Sequence, residues 1–475
     1  MARARIAEAD LRAGAAQVDI TPRMGTQIAG DIGRHRPAEL VVEPIYARAL
    51  VLEAGGRKAC ILSLDVGIIT PAWVAEIRRQ AHEKFGLAPE TVMVHAVQNH
   101  AAPGIGHFMI AEESKYVPPG ADWLRGGDDR YAPFAVERIL EAVGRANGAL
   151  EPVSVGAASG LEARVAFNRR FVMRDGTVKT HPGWQDAPNI LHAEGPIDPE
   201  LGVVAFVAED LRIPAMMLHY TCHPVHGYPQ RYVSGGWPGI WCTEVQKAHG
   251  EGCVPLVING CCGNIHHCNH LDPSFVDDYR NMGRLLAQTS ERVLVGVRYG
   301  RQAVLDWRQS HVSIPYRPLP AKFLKSVDRL LAEHPEPMWR DEARTAVEWD
   351  WVYAVAIKDL HARQQKDKVC RYEVQAFRVG NIALLALGGE PFVEGQLAIK
   401  MQSPTRWTYI AHNSNGFCGY VPTRAALKRG GYETRTSTWS QLAPQALDVI
   451  VDESVRLLKQ LFPGRPGGRK SKGAV

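Results

Sequence analysis

The sequence predicts a layered α/β fold with a mixed sheet. Short apolar runs bounded by turn residues alternate with segments whose apolar residues recur every three or four positions. Several of these runs are continuous and lack polar alternation, as expected of strands that are covered on both faces. Strands that alternate with helices along a chain are typical of layered α/β proteins.

The apolar runs predict eight strands, at Ala49–Leu52, Ala59–Leu64, Val92–Ala96, Val203–Val207, Ala215–Tyr220, Pro255–Ile258, Glu373–Val379 and Ile382–Leu387. Amphipathic periodicity predicts four helices, at Pro71–Phe85, Ala132–Ala146, Phe275–Val297 and Leu447–Leu461. Between them, Pro103–Gly127 is rich in glycine and proline and is predicted to be a loop that could shape a cleft.

Residues 321–367 differ from the rest of the chain because they are rich in Leu, Glu, Arg, Lys and Ala. They predict two or three amphipathic helices, inserted into the fold as a segment that could cap the site. We expect residues 1–462 to form a single catalytic domain. Residues 463–475 carry a cluster of Arg and Lys with Gly and Pro, and are predicted to be a disordered basic tail.

Composition limits the function classes. The chain is 45% hydrophobic and 22% charged, which is ordinary for a soluble globular protein. It has no run of about 18–20 apolar residues, so no stable membrane insertion is expected. The net charge of +5 is small and no basic stripe alternates with aromatics, which argues against nucleic acid as a partner. The nine cysteines and an N-terminus without an apolar signal core favour a reducing, cytoplasmic location.

Potential metal ligands are concentrated at the ends of predicted strands, in the segments Val94–Pro103, His219–His226, Asn259–Cys268 and Leu387–Pro391. Sites in open α/β sheets form where strand ends meet loops. A single histidine after a strand usually has no ligand role. Here, however, 7 of the 18 histidines fall in three of these segments, which favours one assembled site. The cysteines at 261, 262 and 268 lack paired Cys-x-x-Cys spacing, so a structural zinc knuckle is not predicted.

A series of short motifs carries a resemblance to a known family. They are, in order, Ala13–Thr26, Pro44–Leu52, Leu62–Asp65, Phe167–Arg170, Gly195–Glu200, Cys222–Pro224, Gly389–Glu390 and Gly419–Tyr420 with Gly431–Glu433. With these motifs the chain resembles the neutral (non-lysosomal) ceramidase superfamily from about Ala13 to Thr438. Each motif alone is weak, but their common order is specific. The resemblance implies the α/β fold of the N-terminal catalytic domain of that family.

The resemblance also implies a zinc ion held by two histidines, a glutamate and a tyrosine. The second histidine corresponds to His223, the glutamate to Glu390 and the tyrosine to Tyr420. An arginine that steadies the substrate carbonyl corresponds to Arg169, and a second tyrosine near the reacting atom corresponds to Tyr432. Imidazole and carboxylate suit zinc, so the expected cofactor is a divalent metal ion, with zinc favoured.

Two departures from the family pattern matter. The His-Thr-His segment of the family reads Gln98-Asn99-His100 here, so that Gln98 stands at the position of the first histidine ligand. Gln98 could bind the metal through its oxygen, or His100, His95 or His107 could supply the missing ligand. The serine nucleophile of the family corresponds to His266, within Gly263–Cys268. A covalent acyl-serine mechanism is therefore not expected at this position, and neither is ceramide hydrolysis.

The predicted function is that of a metal-dependent hydrolase, in which a metal-activated water attacks an amide, ester or related bond of a small polar substrate. His100 or His266 would act as base, Tyr432 as proton donor and Arg169 as the group that stabilises negative charge. Four residues are expected to bind the substrate: Asn168, Trp237, Asn264 and His267. Asp65 could orient a ligand histidine or simply cap a loop.

Other functions stay open from the sequence. The same residues could serve a metal-dependent lyase or a carbohydrate-active enzyme, with tryptophans at 123, 184, 237 and 241 either as sugar platforms or as core residues. A binding protein that has lost catalysis together with the serine and one histidine is the non-enzymatic alternative. The sequence also leaves the formation of a homo-oligomer open.

Overall fold

The computed structural model describes residues 6–463, and its centre is a pair of stacked β-sheets. The larger sheet has nine strands. In spatial order they are Val254–Asn259, Ala215–Tyr220, Glu200–Ala208, Glu151–Leu161, Ala9–Asp19, Tyr46–Ala54, Arg57–Leu64 and Val92–Ala96, with Gln302–Ala303 paired beside Ala9–Asp19. The pairs at the two edges are parallel and the pairs between them are antiparallel, so the sheet is mixed, as predicted.

The smaller sheet has four strands, in the order Leu305–Pro315, Val369–Val379, Ile382–Leu387 and Trp407–Ala411. Apolar side chains of both sheets, among them Leu50, Met93, Phe377 and Leu384, form one shared core between them. Successive residues of a strand point to opposite faces of the sheet. The residues that alternate with these core residues therefore pack outward against helices. This explains why the strands read as continuous apolar runs.

Helices cover the outer faces of both sheets. Against the larger sheet pack Pro71–Phe85, Tyr131–Gly148, Gly236–His249 and Tyr279–Leu294, and against the smaller sheet Val393–Gln402 and Ala446–Leu461. Three further α-helices are Ala321–Glu333, Trp349–Lys366 and Arg424–Arg429. The architecture is therefore helix, sheet, sheet, helix.

Short elements line the space around the strand ends. The strands among them are Leu40–Val41, Phe167–Asn168, Arg170–Met173, Val178–Thr180, Ile190–Ala193, Tyr232–Val233, Ile265–His266, Glu390–Pro391 and Tyr420–Val421. The single-turn 3₁₀ helices are Pro89–Thr91, Asp122–Arg125, Trp184–Asn189 and Tyr432–Thr434.

All eight predicted strands and all four predicted helices are present. The bounds agree for the strands Val92–Ala96, Ala215–Tyr220 and Ile382–Leu387 and for the helix Pro71–Phe85, and the other elements extend or shift at one or both ends. The helix predicted from Phe275 begins at Tyr279, because the Asp278 side chain accepts a hydrogen bond from the backbone N–H of Arg280 and caps the helix there. The inserted segment forms two helices. Four longer strands were not predicted, namely Ala9–Asp19, Glu151–Leu161, Leu305–Pro315 and Trp407–Ala411. In the first three, glycine or polar residues interrupt the apolar run.

Other sequence expectations concern the termini, the cysteines and the membrane. Apart from Pro463, the predicted basic tail lies outside the described residues. All nine cysteines are free thiols. Among residues 6–463, no helix combines the length and the apolar character that crossing a membrane requires.

Candidate metal centre

The ends of four strands bring the histidine-rich segments together. His95 ends the strand Val92–Ala96, and its Nε2 accepts the backbone N–H of Asn259, 3.0 Å away, at the end of another strand. The Asn259 amide in turn donates to the backbone carbonyls of Val97 and Cys222, at 2.9 and 3.0 Å. These hydrogen bonds fix the relative positions of the loops that follow the strands. His95 is thereby used as a structural tie, since its Nδ1 also contacts the carbonyl of His412.

His100 and His223 face each other at the centre of this region, with their Nε2 atoms 3.1 Å apart. His100 Nδ1 lies 3.1 Å from the carbonyl oxygen of Gly30, and His223 Nδ1 lies 3.3 Å from that of Cys262. Because a carbonyl oxygen only accepts, each Nδ1 carries the ring proton. Burial lowers the pKa of His100 to about 3 and that of His223 well below its ordinary value, so both rings are neutral. Two bare Nε2 lone pairs therefore converge, as in a metal site.

Glu390 supplies a carboxylate beside the two histidines. Its Oε2 lies 3.9 Å from His223 Nε2, is buried and has no hydrogen-bond partner among the described residues. The side chains of Gln98 and Tyr420 hydrogen-bond to Glu390. Burial raises the pKa of Glu390 to about 7, against the effects of Arg169 and of these two hydrogen bonds. An orphaned, buried carboxylate oxygen is expected of a group that serves as a metal ligand.

Tyr420 is held next to Glu390 by the backbone, because the two residues are register partners in a short parallel bridge. The Tyr420 hydroxyl also hydrogen-bonds to the side chain of Arg169, whose guanidinium carbon lies 5.5 Å from the Tyr420 ring centre. The ring of Tyr432 packs edge-on against that of Tyr420, with centroids 5.7 Å apart. Two imidazoles, a carboxylate and a phenol are the ligand types that suit a divalent transition metal such as zinc. The ligand atoms of His100, His223 and Glu390 do not all lie within 4.8 Å of one another, so one ion would require Glu390 and His100 to move closer together.

Gln98 joins Glu390 to His412. Its Oε1 is 2.6 Å from His412 Nε2, and its side chain also hydrogen-bonds to Glu390. The residue has a φ of 69°, in the left-handed region that few residues other than glycine and asparagine adopt. Both ends of the Gln98 amide therefore have protein partners. Three histidines were candidates for the missing ligand. His95 is a structural tie and His107 pairs with Asp129 at 2.8 Å, whereas His100 lies beside His223.

Arg169 is held by a buried carboxylate that the sequence analysis had not singled out. Glu433 is fully buried and lies 2.8 Å from Arg169 Nε, while Arg170 Nη1 donates to its other oxygen at 2.5 Å. The Arg169 Nη2 donates to the carbonyl of Gly263 at 2.6 Å. This network fixes the guanidinium next to Tyr420. The only sequence signal for Glu433 was its place in the Gly-Tyr-Glu motif.

His266 is set as a hydrogen-bond donor toward its surroundings. Its Nδ1 accepts the backbone N–H of Cys268 at 3.0 Å, so in the neutral ring the proton is on Nε2. Burial lowers the pKa of His266, which keeps the ring neutral. A ring in this tautomer can donate but not accept at Nε2. The prediction that His266 could be a general base is therefore not supported by its tautomer.

Of the residues expected to bind substrate, three have their polar atoms or rings committed elsewhere. The Asn168 amide donates to the carbonyl of Pro196 and accepts from the backbone of Arg170. Asn264 accepts from Val393 and donates to Glu394. Trp237 is fully buried in the core. Their predicted contact with substrate stays a prediction.

His267, the fourth such residue, hydrogen-bonds to Asp277. Asp65 forms an ion pair with Arg48 at 2.6 Å and accepts the backbone N–H of Tyr46, as a structural carboxylate would. Arg36, which no motif indicated, is fully buried and donates from Nη2 to the carbonyl of His100 at 3.0 Å.

Comparison with known proteins identifies the fold of this chain. No protein-family model matches the chain, and no curated protein matches it. The solved neutral ceramidase from Pseudomonas aeruginosa aligns with a TM-score of 0.70 and 18% identity, over 95% of this chain and 74% of that chain. A structure described as ceramidase complexed with C2 gives a TM-score of 0.70 and 17% identity, over 96% and 75%. The chain therefore has the mixed α/β fold of the neutral ceramidases.

Proposed function

We propose that the protein is a metal-dependent hydrolase that cleaves an amide, ester or related bond of a small polar substrate other than ceramide. The observation that carries this proposal is the pair of bare Nε2 atoms on His100 and His223, 3.1 Å apart beside the unpartnered oxygen of Glu390. Two lone pairs at this distance repel each other unless a proton or a metal ion lies against both, and the hydrogen bond of each Nδ1 to a carbonyl favours the metal ion. The fold shared with neutral ceramidases supports a hydrolase.

In this proposal the ligands are His100, His223, Glu390 and Tyr420. Gln98 joins Glu390 to His412 and orients the carboxylate, in the manner of residues that support metal ligands. His100 thus takes the ligand role that the resemblance gave to position 98. Zinc is the ion that best fits two neutral imidazoles with oxygen donors, and a bound divalent ion would supply a water whose pKa is lowered to about 7.

The remaining side chains bind and orient the substrate. Arg169, held by Glu433, places a fixed positive charge beside Tyr420, where it can stabilise negative charge on a substrate oxygen. His266 can donate its Nε2 proton as a hydrogen bond to the same oxygen or to the leaving group. Burial raises the pKa of Tyr432, so its hydroxyl keeps a proton that it can donate to the leaving group. His266 corresponds to the serine of the ceramidases, which is the reason to exclude an acyl-serine route.

Metal analysis and labelled water test the proposal together. The chelator-stripped protein should bind one equivalent of zinc tightly at this centre, and Glu390→Gln should weaken that binding by at least about tenfold. The matched control is Glu394→Gln, a nearby carboxylate that hydrogen-bonds only to Asn264 among the site residues. A panel of small amides and esters in ¹⁸O-labelled water should then give a product that contains the label.

Two results would overturn it. Zinc binding that is equal in the wild type and in Glu390→Gln would show that the centre does not hold a metal, which favours a binding protein without this catalysis. A product that carries no solvent oxygen and absorbs in the ultraviolet would instead identify a lyase, because elimination creates a conjugated double bond.

A further inference from the structure

A second group of potential ligands lies outside the centre described above. His226 follows the loop after the strand Ala215–Tyr220, His267 follows the short strand Ile265–His266, and Asp277 directly precedes the cap of the helix Tyr279–Leu294. One potential ligand atom from each lies within 4.8 Å of the others. Neither Asp277 nor His226 belongs to the donor set of His100, His223, Glu390 and Tyr420.

The two imidazoles approach the same carboxylate oxygen. His267 Nδ1 lies 2.6 Å and His226 Nε2 lies 3.0 Å from Asp277 Oδ1. The rings are stacked with centroids 3.4 Å apart and an interplanar angle of 18°, so the two nitrogens point the same way. The ligand atoms of tetrahedral zinc, at about 2.0–2.1 Å from the ion, are about 3.3 Å apart, so each nitrogen would need to move away from Asp277 Oδ1 by less than about 1 Å.

The other nitrogen of each ring is free to take up the proton. His226 Nδ1 and His267 Nε2 are buried and have no hydrogen-bond partner among residues 6–463. The Asp277 carboxylate, which only accepts, draws the ring protons to the two nitrogens that face it. Since no other group among residues 6–463 bonds the opposite nitrogens, a cation bound at Asp277 would shift both protons to the far side of the rings and take up the two lone pairs. Two neutral imidazoles and one carboxylate form a donor set that divalent transition metals prefer.

In a neighbouring histidine cluster, the backbone fixes the tautomer of one ring. His181, His266 and His270 also place potential ligand atoms within 4.8 Å of one another. His266, however, accepts the N–H of Cys268 at Nδ1, so its neutral ring carries the proton on Nε2 and has no lone pair there. The fixed tautomer of His266 thus distinguishes the two clusters, and it favours the group around Asp277 as a metal site.

Access and charge also suit an ion at Asp277. A cavity of about 210 Å³ is lined by His226, His267 and Asp277, and by Asp278 on the adjoining helix cap. The Asp277 side chain is 37% exposed, whereas those of His226 and His267 are 7% and 4% exposed. Arg164 is the positive side chain at the cavity, and it is paired with Glu162 at 2.5 Å. An ion could enter from solvent and keep coordination positions open toward the cavity.

We propose that His226, His267 and Asp277 form a second metal site, which binds a divalent transition-metal ion such as zinc and leaves at least one position open for water or a small ligand. This site does not depend on the proposed hydrolase function. It assigns His267 as a ligand of the second ion and not as a substrate-binding residue.

Crystals of the chelator-stripped wild-type protein soaked in Zn²⁺ or Co²⁺ provide the direct test. Anomalous scattering measured at the absorption edge of the metal should show a peak bonded to His226, His267 and Asp277, separate from the peak at His223 and Glu390. Titration with zinc in solution should give two equivalents for the wild type. In Asp277→Asn the second equivalent should bind at least about tenfold more weakly, because the amide is neutral.

Matched variants separate this site from the other. Asp278→Asn changes the neighbouring carboxylate of the same cavity but keeps a good helix cap, so it should retain both equivalents. Glu390→Gln should lose the first equivalent and keep the one at Asp277. An anomalous map of the wild type without a peak at Asp277 would overturn the proposal. So would an Asp277→Asn variant that folds normally and still binds two equivalents.

Discussion

The contact between Gly30 and His100 allows a sharp test of the ligand role of His100. A Cβ added at Gly30 would lie 2.2 Å from His100 Nδ1, whereas ordinary contacts begin at 3.4 Å. In Gly30→Ala the imidazole must therefore move by about 1 Å or lose its hydrogen bond to the Gly30 carbonyl. Metal ligands need to be held to within about 0.5 Å. The displacement is thus large enough to misalign Nε2 with His223.

The expected loss can be estimated from comparable supporting residues. Mutations of groups that orient metal ligands typically cost 10–100-fold in metal affinity, which is about 1.4–2.7 kcal/mol. Alanine at Gly30 also carries backbone strain, because its φ is +86°. That strain costs about 1–2 kcal/mol of stability and has to be separated from the effect on the metal.

Gly25→Ala is the matched control. Gly25 has a φ of +82°, yet a Cβ there would meet no atom within 4 Å. Gly25→Ala reports the cost of backbone strain alone, and Gly30→Ala should lower the unfolding temperature of the chelator-stripped protein at least as much, because it adds the contact with His100. Zinc titration against a competing chelator at pH 7.5 should show a loss of affinity at the centre only for Gly30→Ala. If the two variants bind zinc with affinities within about threefold of each other, His100 is not a ligand.

Two predictions concern buried charges. Glu433→Gln removes a fully buried carboxylate that contacts Arg169, and should cost about 3–5 kcal/mol. With about 2.1 cal/mol/K of unfolding entropy per residue, this corresponds to about 3–5 °C in Tm by calorimetry. The control is Glu53, which forms an exposed ion pair with Arg12. An equal shift of Tm in Glu53→Gln would contradict the stabilising role assigned to the buried Glu433. Burial raises the pKa of Asp31 from 3.8 to about 6, so the folded protein keeps a proton that the unfolded chain has lost between these values. Stability should therefore fall by about 3 kcal/mol as pH rises from about 4 to about 6, and denaturant titrations of Asp31→Asn should lack this contribution. A pH dependence that is identical in Asp31→Asn and the wild type would refute it.

The strands could be predicted because burial on two faces leaves a strong local signal. In Tyr46–Ala54, for example, Leu50 and Leu52 pack between the sheets, while Ala49 and Val51 pack under the helices. Every residue of the predicted run Ala49–Leu52 is therefore apolar, whichever face of the sheet its side chain points to. The strand Ala9–Asp19 gave no such signal. Its burial alternates with exposed or half-exposed polar positions, and small residues such as Gly14 allow the close approach of the loop after the helix Tyr131–Gly148.

The residues of the site were predictable as a set, but their roles were not. Motif order identified His223, Glu390 and Tyr420, and strand ends indicated that they meet. The ligand at the first histidine position depends on contacts that no local pattern contains. Gly30, which fixes the tautomer of His100, is 70 residues away in the chain, and Cys262, which fixes that of His223, is 39 residues away.

The proposed metal centre does not require a histidine at position 98, because the backbone at Gln98 and the loop that follows bring His100 to His223. The φ of 69° at Gln98 turns the loop after the strand Val92–Ala96, and the next loop residues are tied down by Asn99 to Ser234 and by Arg36 to the carbonyl of His100. His100 lies two residues further along the loop, with its Nε2 3.1 Å from that of His223. In the proposed centre His100 would therefore supply the imidazole that position 98 lacks, while the Gln98 amide joins Glu390 to His412. Gly30→Ala tests that exchange directly.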